Sequence, residues 1–322
     1  MEMGLVKGEG FAVDASVMEA NASRYHGKAP DELDWTEKQQ RKRAVAEYLA
    51  ALKAEAAVEG DAPNDNESGG PGSNRQRRYE RQPPKVISPS DPQSAWTAKA
   101  NKRVQFGYGL NDLIDIENAV IVDVEATPAR TYDEVAATQT MLDRAEECFG
   151  LRPRRLAADT AYGTGKFLGW LVKKKKIIPH IPVWEKSDRQ DGIFSRSDFY
   201  WDRKRGAYIC PNGKLLQTSG TVHDGRTLLY RASKRDCDVC PIRAKCCTTA
   251  DARKIPRDIH EDARDIARRK MNTKAFTKSR DERKRVEMRF AHLKTHHGFE
   301  RMRLRGLSGT RRVSSRRHCA EP

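Results

Sequence analysis

The chain has 322 residues, of which 61 are lysine or arginine and 45 are aspartate or glutamate, so its formal net charge is +16. This positive charge favours a polyanion such as nucleic acid as partner. Its hydrophobic content of 37% and mean hydropathy of −0.82 are low for a chain that is compact throughout, and no apolar run approaches the roughly 18 residues of a membrane span. We therefore expect a cytoplasmic protein without membrane contact, and in that reducing compartment its seven cysteines argue against a disulfide framework.

The N-terminal third contains one strand pattern, one helix pattern and one segment of low complexity. Residues 10–14 predict a short buried strand that ends in Asp14, and a helical pattern follows over 33–57. From about Glu59 to Pro84 the composition narrows to Gly, Pro, Asn, Asp, Ser and Arg, which is typical of a disordered linker.

The middle of the chain has the clearest periodicity. The predicted elements are a strand over 104–110, a strand over 120–124 that pairs with it as an antiparallel hairpin, a helix opened by a capping box of Thr131 and Glu134 and ended by Gly150, a strand that ends in Asp159, a helix through Leu168 and Leu171, and a strand over 177–183.

The C-terminal part begins with a segment that lacks this regular alternation of strands and helices. That segment, residues 187–260, is rich in Arg, Gly and Cys, with short strands expected near Tyr208 and Tyr230. From about Glu261 to Lys294 the chain is helical, and Val286, Phe290 and Leu293 form an apolar flank on that helix. Steps of four and seven residues align Arg283, Glu287 and Lys294 in a stripe beside the flank.

Three acids stand where they could meet. Asp14 and Asp159 end predicted strands, and Glu287 lies on a helix that can cross the sheet. Converging carboxylates repel unless cations lie between them, and Mg²⁺ or Mn²⁺ prefer such oxygen ligands and leave positions open for phosphates. Two such ions can support an in-line phosphoryl displacement. Taken alone, Asp14 would be read as a turn or helix cap, and Asp123 is the next candidate for the first ligand.

Three segments of the sequence resemble the DDE transposases of bacterial insertion sequences: Phe11–Ser16, Leu156–Gly163 and Arg283-x3-Glu287-x6-Lys294. The resemblance implies an α/β, RNase H-like mixed sheet flanked by helices, with a cysteine-containing insertion between the second Asp and the catalytic Glu. It implies Asp14, Asp159 and Glu287 as catalytic ligands of Mg²⁺ or Mn²⁺, and Arg283 and Lys294 as contacts to DNA. Arg280 stands where the family has tyrosine.

The resemblance also implies a reaction and partners. Water would cut double-stranded DNA at the terminal inverted repeats of the element, and the freed 3′-hydroxyl would then attack target DNA. The protein would act as a homodimer in a synaptic complex at the bacterial nucleoid. A second hypothesis, from another class, is a catalytically inactive, zinc-stabilised DNA-binding remnant of a transposase.

Two departures from the family pattern concern the ends of the chain. Members usually carry a helical region before the first Asp, which is already residue 14 here. After Gly309 the family expects an apolar, mostly helical ending, whereas this chain continues with a basic sequence that looks out of frame. We therefore expect a frameshifted copy, truncated at both ends.

The cysteines and lysines suggest two further features. Cys237-x2-Cys240-x5-Cys246, with Cys210 earlier, fits the four thiolates of a structural Zn²⁺ site; Cys247 could replace Cys246, and free cysteines in a loop are the alternative. The four lysines Lys173, Lys174, Lys175 and Lys176 predict contacts to DNA phosphates, with a solvated surface as the alternative.

These patterns divide the chain into six parts. We predict a first catalytic strand and helical segment over 1–58, a disordered linker over 59–84, an RNase H-like core over 85–186, a Cys-rich insertion over 187–260, a C-terminal catalytic helix region over 261–309 and an irregular tail over 310–322.

Overall fold

The computed structural model describes residues 6–60, 84–98, 103–185 and 191–319. Most of the predicted linker, residues 61–83, lies outside the described part. The described residues form two compact units. Unit 1 takes its residues from 1–161, 177–181 and 271–322, and unit 2 from 162–176 and 182–270. In the described part, no helix is both long and apolar enough to cross a membrane.

The strands and helices are numbered in chain order. The strands are β1 (Gly10–Glu19), β2 (Ala95–Thr97), β3 (Gln105–Asp115), β4 (Ile121–Pro128), β5 (Arg155–Ala157), β6 (Ile178–His180), β7 (Tyr200–Asp202), β8 (Ala207–Ile209), β9 (Leu215–Gln217), β10 (Val222–His223), β11 (Thr227–Ala232) and β12 (Lys254–Asp258). The helices are α1 (Glu37–Gln40), α2 (Arg43–Gly60), α3 (Thr131–Phe149), α4 (Gly165–Gly169), α5 (Lys234–Asp238), α6 (Glu261–Met271), α7 (Lys274–His297) and α8 (Leu307–Cys319).

Unit 1 is built on a mixed six-stranded sheet. Its strands run in the order β4-β3-β1-β5-β6, and the short β2 pairs with the first residues of β3. β1 is antiparallel to β3 and parallel to β5, which in turn is parallel to β6. The predicted hairpin of β3 and β4 is present. β1 is twice as long as expected, because Ser16 and Met18 continue its buried alternation, so Asp14 lies inside the strand and not at its end.

Two helices pack on this sheet. α7 lies against β1, β5 and β6, and its predicted flank of Val286, Phe290 and Leu293 is buried in one cluster with Ala12 and Leu110. α3 packs on β3 and β4. α3 ends as predicted, because Gly150 adopts a left-handed φ of 64° that a glycine tolerates. Its start differs from the capping-box prediction, since Arg130 is the N-cap and Thr131 is already helical.

The segment predicted as an irregular tail forms α8, which packs on β4. Two acceptors from elsewhere in unit 1 hold its start: Asp91 Oδ1 accepts from the Gly306 N–H at 2.9 Å, and Gln93 Oε1 accepts from the Leu307 N–H at 2.9 Å. Arg311 pairs with the buried carboxylate of Glu125 at 2.7 Å. Acceptors at a helix start satisfy N–H groups that the helix itself leaves open, which explains a helix in so polar a sequence.

Unit 2 contains a second sheet that is entirely antiparallel. Its order is β10-β11-β9-β8-β7, with β12 also paired to β11. The unit also has a buried ion network, in which Glu261 is 1% exposed and pairs with Arg196 at 2.8 Å, Arg264 at 2.9 Å and Arg268 at 2.6 Å. The predicted helix of residues 261–294 is divided, because α6 ends at Met271 and α7 begins at Lys274.

Candidate functional site: three carboxylates in unit 1

The centre of β1 holds the first acid, Asp14. Its side chain is 17% exposed, with Oδ1 accepting from the Ala15 N–H at 2.9 Å and Oδ2 lying 3.2 Å from Arg283 Nη1. β1 pairs with β3 from Phe11 to Glu19, which includes Asp14, and with β5 from Gly10 to Ala12. A short side chain on such a strand is held in one place.

The register of two parallel strands brings Asp159 to the same region. Ala12 of β1 is the partner of Ala157 of β5, and two residues further along each chain come Asp14 and Asp159. β5 ends at Ala157, so Asp159 lies two residues beyond the strand and not at its end as predicted. Asp159 Oδ1 accepts from the Ala161 N–H at 2.8 Å, so its carboxylate orders the turn that follows β5.

Helix α7 supplies the third acid, Glu287, beside the buried flank that fixes the helix on the sheet. Glu287 is half-exposed, and its Oε1 lies 2.8 Å from Arg283 Nη2. Since the same guanidinium contacts Asp14, Arg283 bridges two of the three acids. Lys294, two turns further along, donates to the carbonyl of Val17 in β1 at 3.2 Å.

Electrostatics supports the grouping of the three acids. Burial raises the pKa of the Asp14 carboxyl to about 6. The hydrogen bond from Ala15 and the charge of Arg283 lower this pKa, whereas the charges of Asp159 and Glu287 raise it. Both acids therefore lie close enough to Asp14 to oppose its ionisation.

The donor atoms suit a hard divalent cation, because all three side chains offer carboxylate oxygens and they repel one another. As they stand, however, no three His, Cys, Asp or Glu side chains in the described residues are grouped closely enough to hold a metal ion. At the carboxylates, Arg283 already provides a cation. The donor set fits Mg²⁺ or Mn²⁺ by charge and atom type, provided that Arg283 moves away.

Two further aspartates near β1 differ in their surroundings. Asp123, the alternative first ligand, lies in β4 and is paired with Arg144 of α3 at 2.8 Å, so it is engaged on another element. Asp112 was not selected from the sequence, yet it is fully buried and directly opposite Asp14 in the β1–β3 ladder. Its alternation with the buried Leu110 and Ile114 was visible in the sequence, whereas the register that places it beside Asp14 was not.

The cysteines lie in unit 2. Cys210, Cys237, Cys240, Cys246 and Cys247 line one cavity of about 20 Å³. Burial raises the pKa of the Cys246 thiol to about 11, Arg253 lowers it, and the thiols of Cys247, Cys237 and Cys210 raise it. All four predicted ligands are thus brought together, along with the predicted alternative. Cys148 is exposed on α3, in unit 1.

The lysine run also lies in unit 2. Lys173, Lys174 and Lys176 are exposed, and Lys175 Nζ lies over the ring of Trp170 at 5.8 Å from its centre. Lys176 adopts a left-handed φ of 59°, which ends the helical turn. The run is therefore a solvent-facing basic segment before β6.

A mixed sheet with helices packed on it, carrying acids on β1, after β5 and on α7, is consistent with an RNase H-like DDE domain. Residues 209–314 match the family model described as a transposase DDE domain, which supports a relationship of this part of the chain to DDE transposases. The match includes Arg283, Glu287, Lys294 and the cysteine cluster, but neither Asp14 nor Asp159. No match was found among curated proteins or among solved structures.

Proposed function

We propose that this protein catalyses divalent-metal-dependent cleavage and strand transfer of DNA for an insertion sequence. Asp14, Asp159 and Glu287 would hold Mg²⁺ or Mn²⁺, and Arg283 and Lys294 would contact the DNA. The observation that supports the proposal is that Arg283 lies 3.2 Å from Asp14 and 2.8 Å from Glu287, while Asp159 follows the strand that pairs with β1.

The family match supports transposase function in general, and the site suggests what each residue does. Asp14 and Asp159 sit on or after strands of one sheet and stay in place, whereas Glu287 is half-exposed at its edge. When bound, divalent ions would supply activation of a nucleophile and stabilisation of the leaving oxygen. Arg283, released from the carboxylates, would be free to pair with a DNA phosphate, for which its planar guanidinium is suited.

The bond changes are those of two successive phosphoryl transfers. In cleavage, the oxygen of water bonds to a phosphorus at the element's end, the bond to the 3′-oxygen breaks, and that oxygen takes a proton. In transfer, this 3′-hydroxyl loses its proton and bonds to a target phosphorus, and the target's own 3′-oxygen leaves. Since an element has two ends, we propose that two copies act together in a synaptic complex.

A nicking assay tests the catalytic proposal. Purified protein is incubated with supercoiled plasmid that carries the element's ends, in Mg²⁺, in Mn²⁺ or in EDTA. We expect nicking with either ion, and loss of nicking in Asp14→Asn, Asp159→Asn and Glu287→Gln. Asp281→Asn is the matched control for Glu287, because Asp281 lies on the same helix and pairs only with residues of α7 among the ion pairs described.

Two outcomes would count against catalysis. Normal nicking by Asp14→Asn would show that Asp14 is not a required metal ligand. Salt-sensitive DNA binding by the wild-type chain without any nicking would favour the inactive DNA-binding remnant.

The lysine run can be tested by the salt dependence of DNA binding. If these lysines bind phosphates, replacing Lys173, Lys174 and Lys176 with glutamine should reduce the slope of the logarithm of the binding constant against the logarithm of salt concentration. The reduction should be up to about 2.7, from about 0.9 for each lost contact.

A further inference from the structure

The hydrophobic core of unit 2 is small for the sheet that it must hold. The strands are two to six residues long, and their buried cluster contains the aromatic residues Phe199, Tyr208 and Tyr230 with Leu216 and Ile255. The cluster also includes three buried cysteines. Small units with so little apolar material commonly need a metal or a covalent link for stability. The described cysteines are all free thiols, which leaves a metal as the candidate link.

Two tight turns present the first three cysteines. Cys210 follows β8, and its N–H donates to the Lys214 carbonyl at 2.8 Å while its own carbonyl accepts from the Gly213 N–H at 2.8 Å. Gly213 has φ of 73°, which a side chain would strain. The second turn runs from Cys237 in α5 to Cys240, whose N–H donates to the Cys237 carbonyl at 3.3 Å.

Two of these three sulfur atoms accept an N–H hydrogen bond. Cys210 Sγ accepts from the backbone N–H of Lys214 at 3.3 Å, and Cys240 Sγ accepts from the Asn212 side-chain amide at 3.6 Å. Such bonds stabilise sulfur in its thiolate form and orient it, as in the surroundings of metal-bound ligands.

We infer that unit 2 binds one structural Zn²⁺ through Cys210, Cys237, Cys240 and one of the adjacent pair Cys246 and Cys247. All five cysteines line the same cavity, and Cys246 and Cys247 are both buried there, so either is in place to supply the fourth thiolate. The inference is independent of the proposed catalytic function, because the site lies wholly in unit 2.

The cavity fits this ion in size and charge. Its volume of about 20 Å³ is that of roughly one water molecule, so a single ion fills it. Four thiolates around Zn²⁺ carry two negative charges, and the cavity is lined by Lys214, Arg243 and Arg253. In the described residues the sulfurs stand too far apart to hold an ion, so zinc–sulfur bonds of about 2.3 Å would require them to move closer together.

The bound ion would connect separate parts of the second sheet. Cys210 would join the ion to the β8–β9 hairpin, Cys237 and Cys240 to α5 and the turn that follows it, and Cys246 or Cys247 to the segment before β12. These elements pair only through short ladders, such as the two-residue pairing of β8 with β9. We therefore expect the ion to stabilise the unit, without contacting substrate.

The test measures the metal content of the full-length chain purified without chelator. We expect about one Zn²⁺ per chain in the wild type and in Cys148→Ser, which removes a thiol of unit 1. Cys210→Ser should lose zinc about tenfold or more readily to a competing chelator, and so should one of Cys246→Ser and Cys247→Ser, whereas the other should keep its zinc. Replacement of that fourth ligand by histidine, which keeps a ligand at the position, should regain zinc binding and shows that loss is not caused by misfolding alone.

Replacement of zinc by Co²⁺ gives a second readout, because cobalt bound to four thiolates has a visible absorption and a sulfur-to-metal charge-transfer band. We expect this spectrum in the wild type and in Cys148→Ser. A wild-type chain that purifies without zinc and gives no cobalt spectrum would overturn the inference. Undiminished zinc binding in Cys210→Ser, or in the double variant Cys246→Ser/Cys247→Ser, would overturn the ligand set. Neither result bears on DNA nicking, which is measured separately.

Discussion

Replacement of Asp14 by asparagine should make the folded chain more stable at pH 8 in the absence of divalent ions. Burial, with the charges of Asp159 and Glu287, raises the pKa of Asp14 from 3.8 to about 6. Ionisation therefore costs about 3 kcal/mol more in the folded than in the unfolded chain. Asparagine has the same shape and never ionises, so Asp14→Asn avoids this cost.

The sign of the pH dependence follows from the raised pKa. The folded chain holds the Asp14 proton more tightly than the unfolded chain does, and this tighter binding stabilises the fold. The stabilisation is fully present below about pH 4 and is lost as the pH rises through about 6. The difference in unfolding free energy between Asp14→Asn and the wild type should thus be near zero at pH 4 and reach up to about 3 kcal/mol at pH 8.

The assay is urea unfolding of both proteins in EDTA across this pH range, followed by circular dichroism. Asp123→Asn is the control, because its ion pair with Arg144 predicts the opposite sign, a loss of up to about 1 kcal/mol at pH 8. The reasoning fails if Asp14→Asn is less stable than the wild type at pH 8, or if the difference does not change with pH.

Three other variants test Arg283, the ion network of unit 2 and the buried face of α7. Arg283→Gln removes a charge that lowers the Asp14 pKa. When the effect of Asp14→Asn on stability is measured in the Arg283→Gln background, the pH at which half of that effect appears should therefore be higher than in the wild-type background. An unchanged midpoint would show that Arg283 does not act on Asp14. Glu261→Gln leaves three buried or half-buried arginines without their shared acid and should destabilise unit 2 by about 3–5 kcal/mol at pH 7 in urea unfolding. Although burial raises the pKa of Glu261, the arginines outweigh burial and hold that pKa at about 2. The stabilisation of the folded chain by ionised Glu261 is therefore lost as the pH falls from about 4.5 through 2. A destabilisation by Glu261→Gln that does not change with pH would contradict this. Phe290→Ala empties a buried position under α7 and should cost about 3–5 kcal/mol of unfolding free energy in unit 1, whereas the exposed Met288→Ala on the same helix should cost little.

Local patterns predicted the elements of unit 1 well, because its long strands and helices have one buried face. The hairpin of β3 and β4 and the apolar flank of α7 are both present as expected. The position of Asp14 within β1 was misjudged, since Ala15 and Ser16 do not signal a strand although the ladder with β3 extends to Glu19. α8 was missed for a related reason: acceptors more than two hundred residues away hold its start.

Unit 2 was much less predictable. Its strands are as short as two residues, so period-two alternation has no length over which to appear. The cysteine spacing nevertheless predicted a cluster that the structure brings together around one cavity. Spacing could not choose between Cys246 and Cys247, because adjacent residues differ only in the direction that the folded loop gives them.

Arg283 has one partner by family resemblance and others in the structure, and this difference bears on metal binding. The family resemblance implied that Arg283 contacts DNA, whereas the structure pairs Arg283 with Asp14 and Glu287. When all three acids are ionised they carry three negative charges, of which Arg283 balances one and a divalent ion would balance two. A cation entering among the acids removes the reason for Arg283 to stay, and a DNA phosphate offers it a new partner. Metal binding and release of Arg283 toward DNA are then expected to favour each other, so DNA should lower the Mg²⁺ concentration needed at this site.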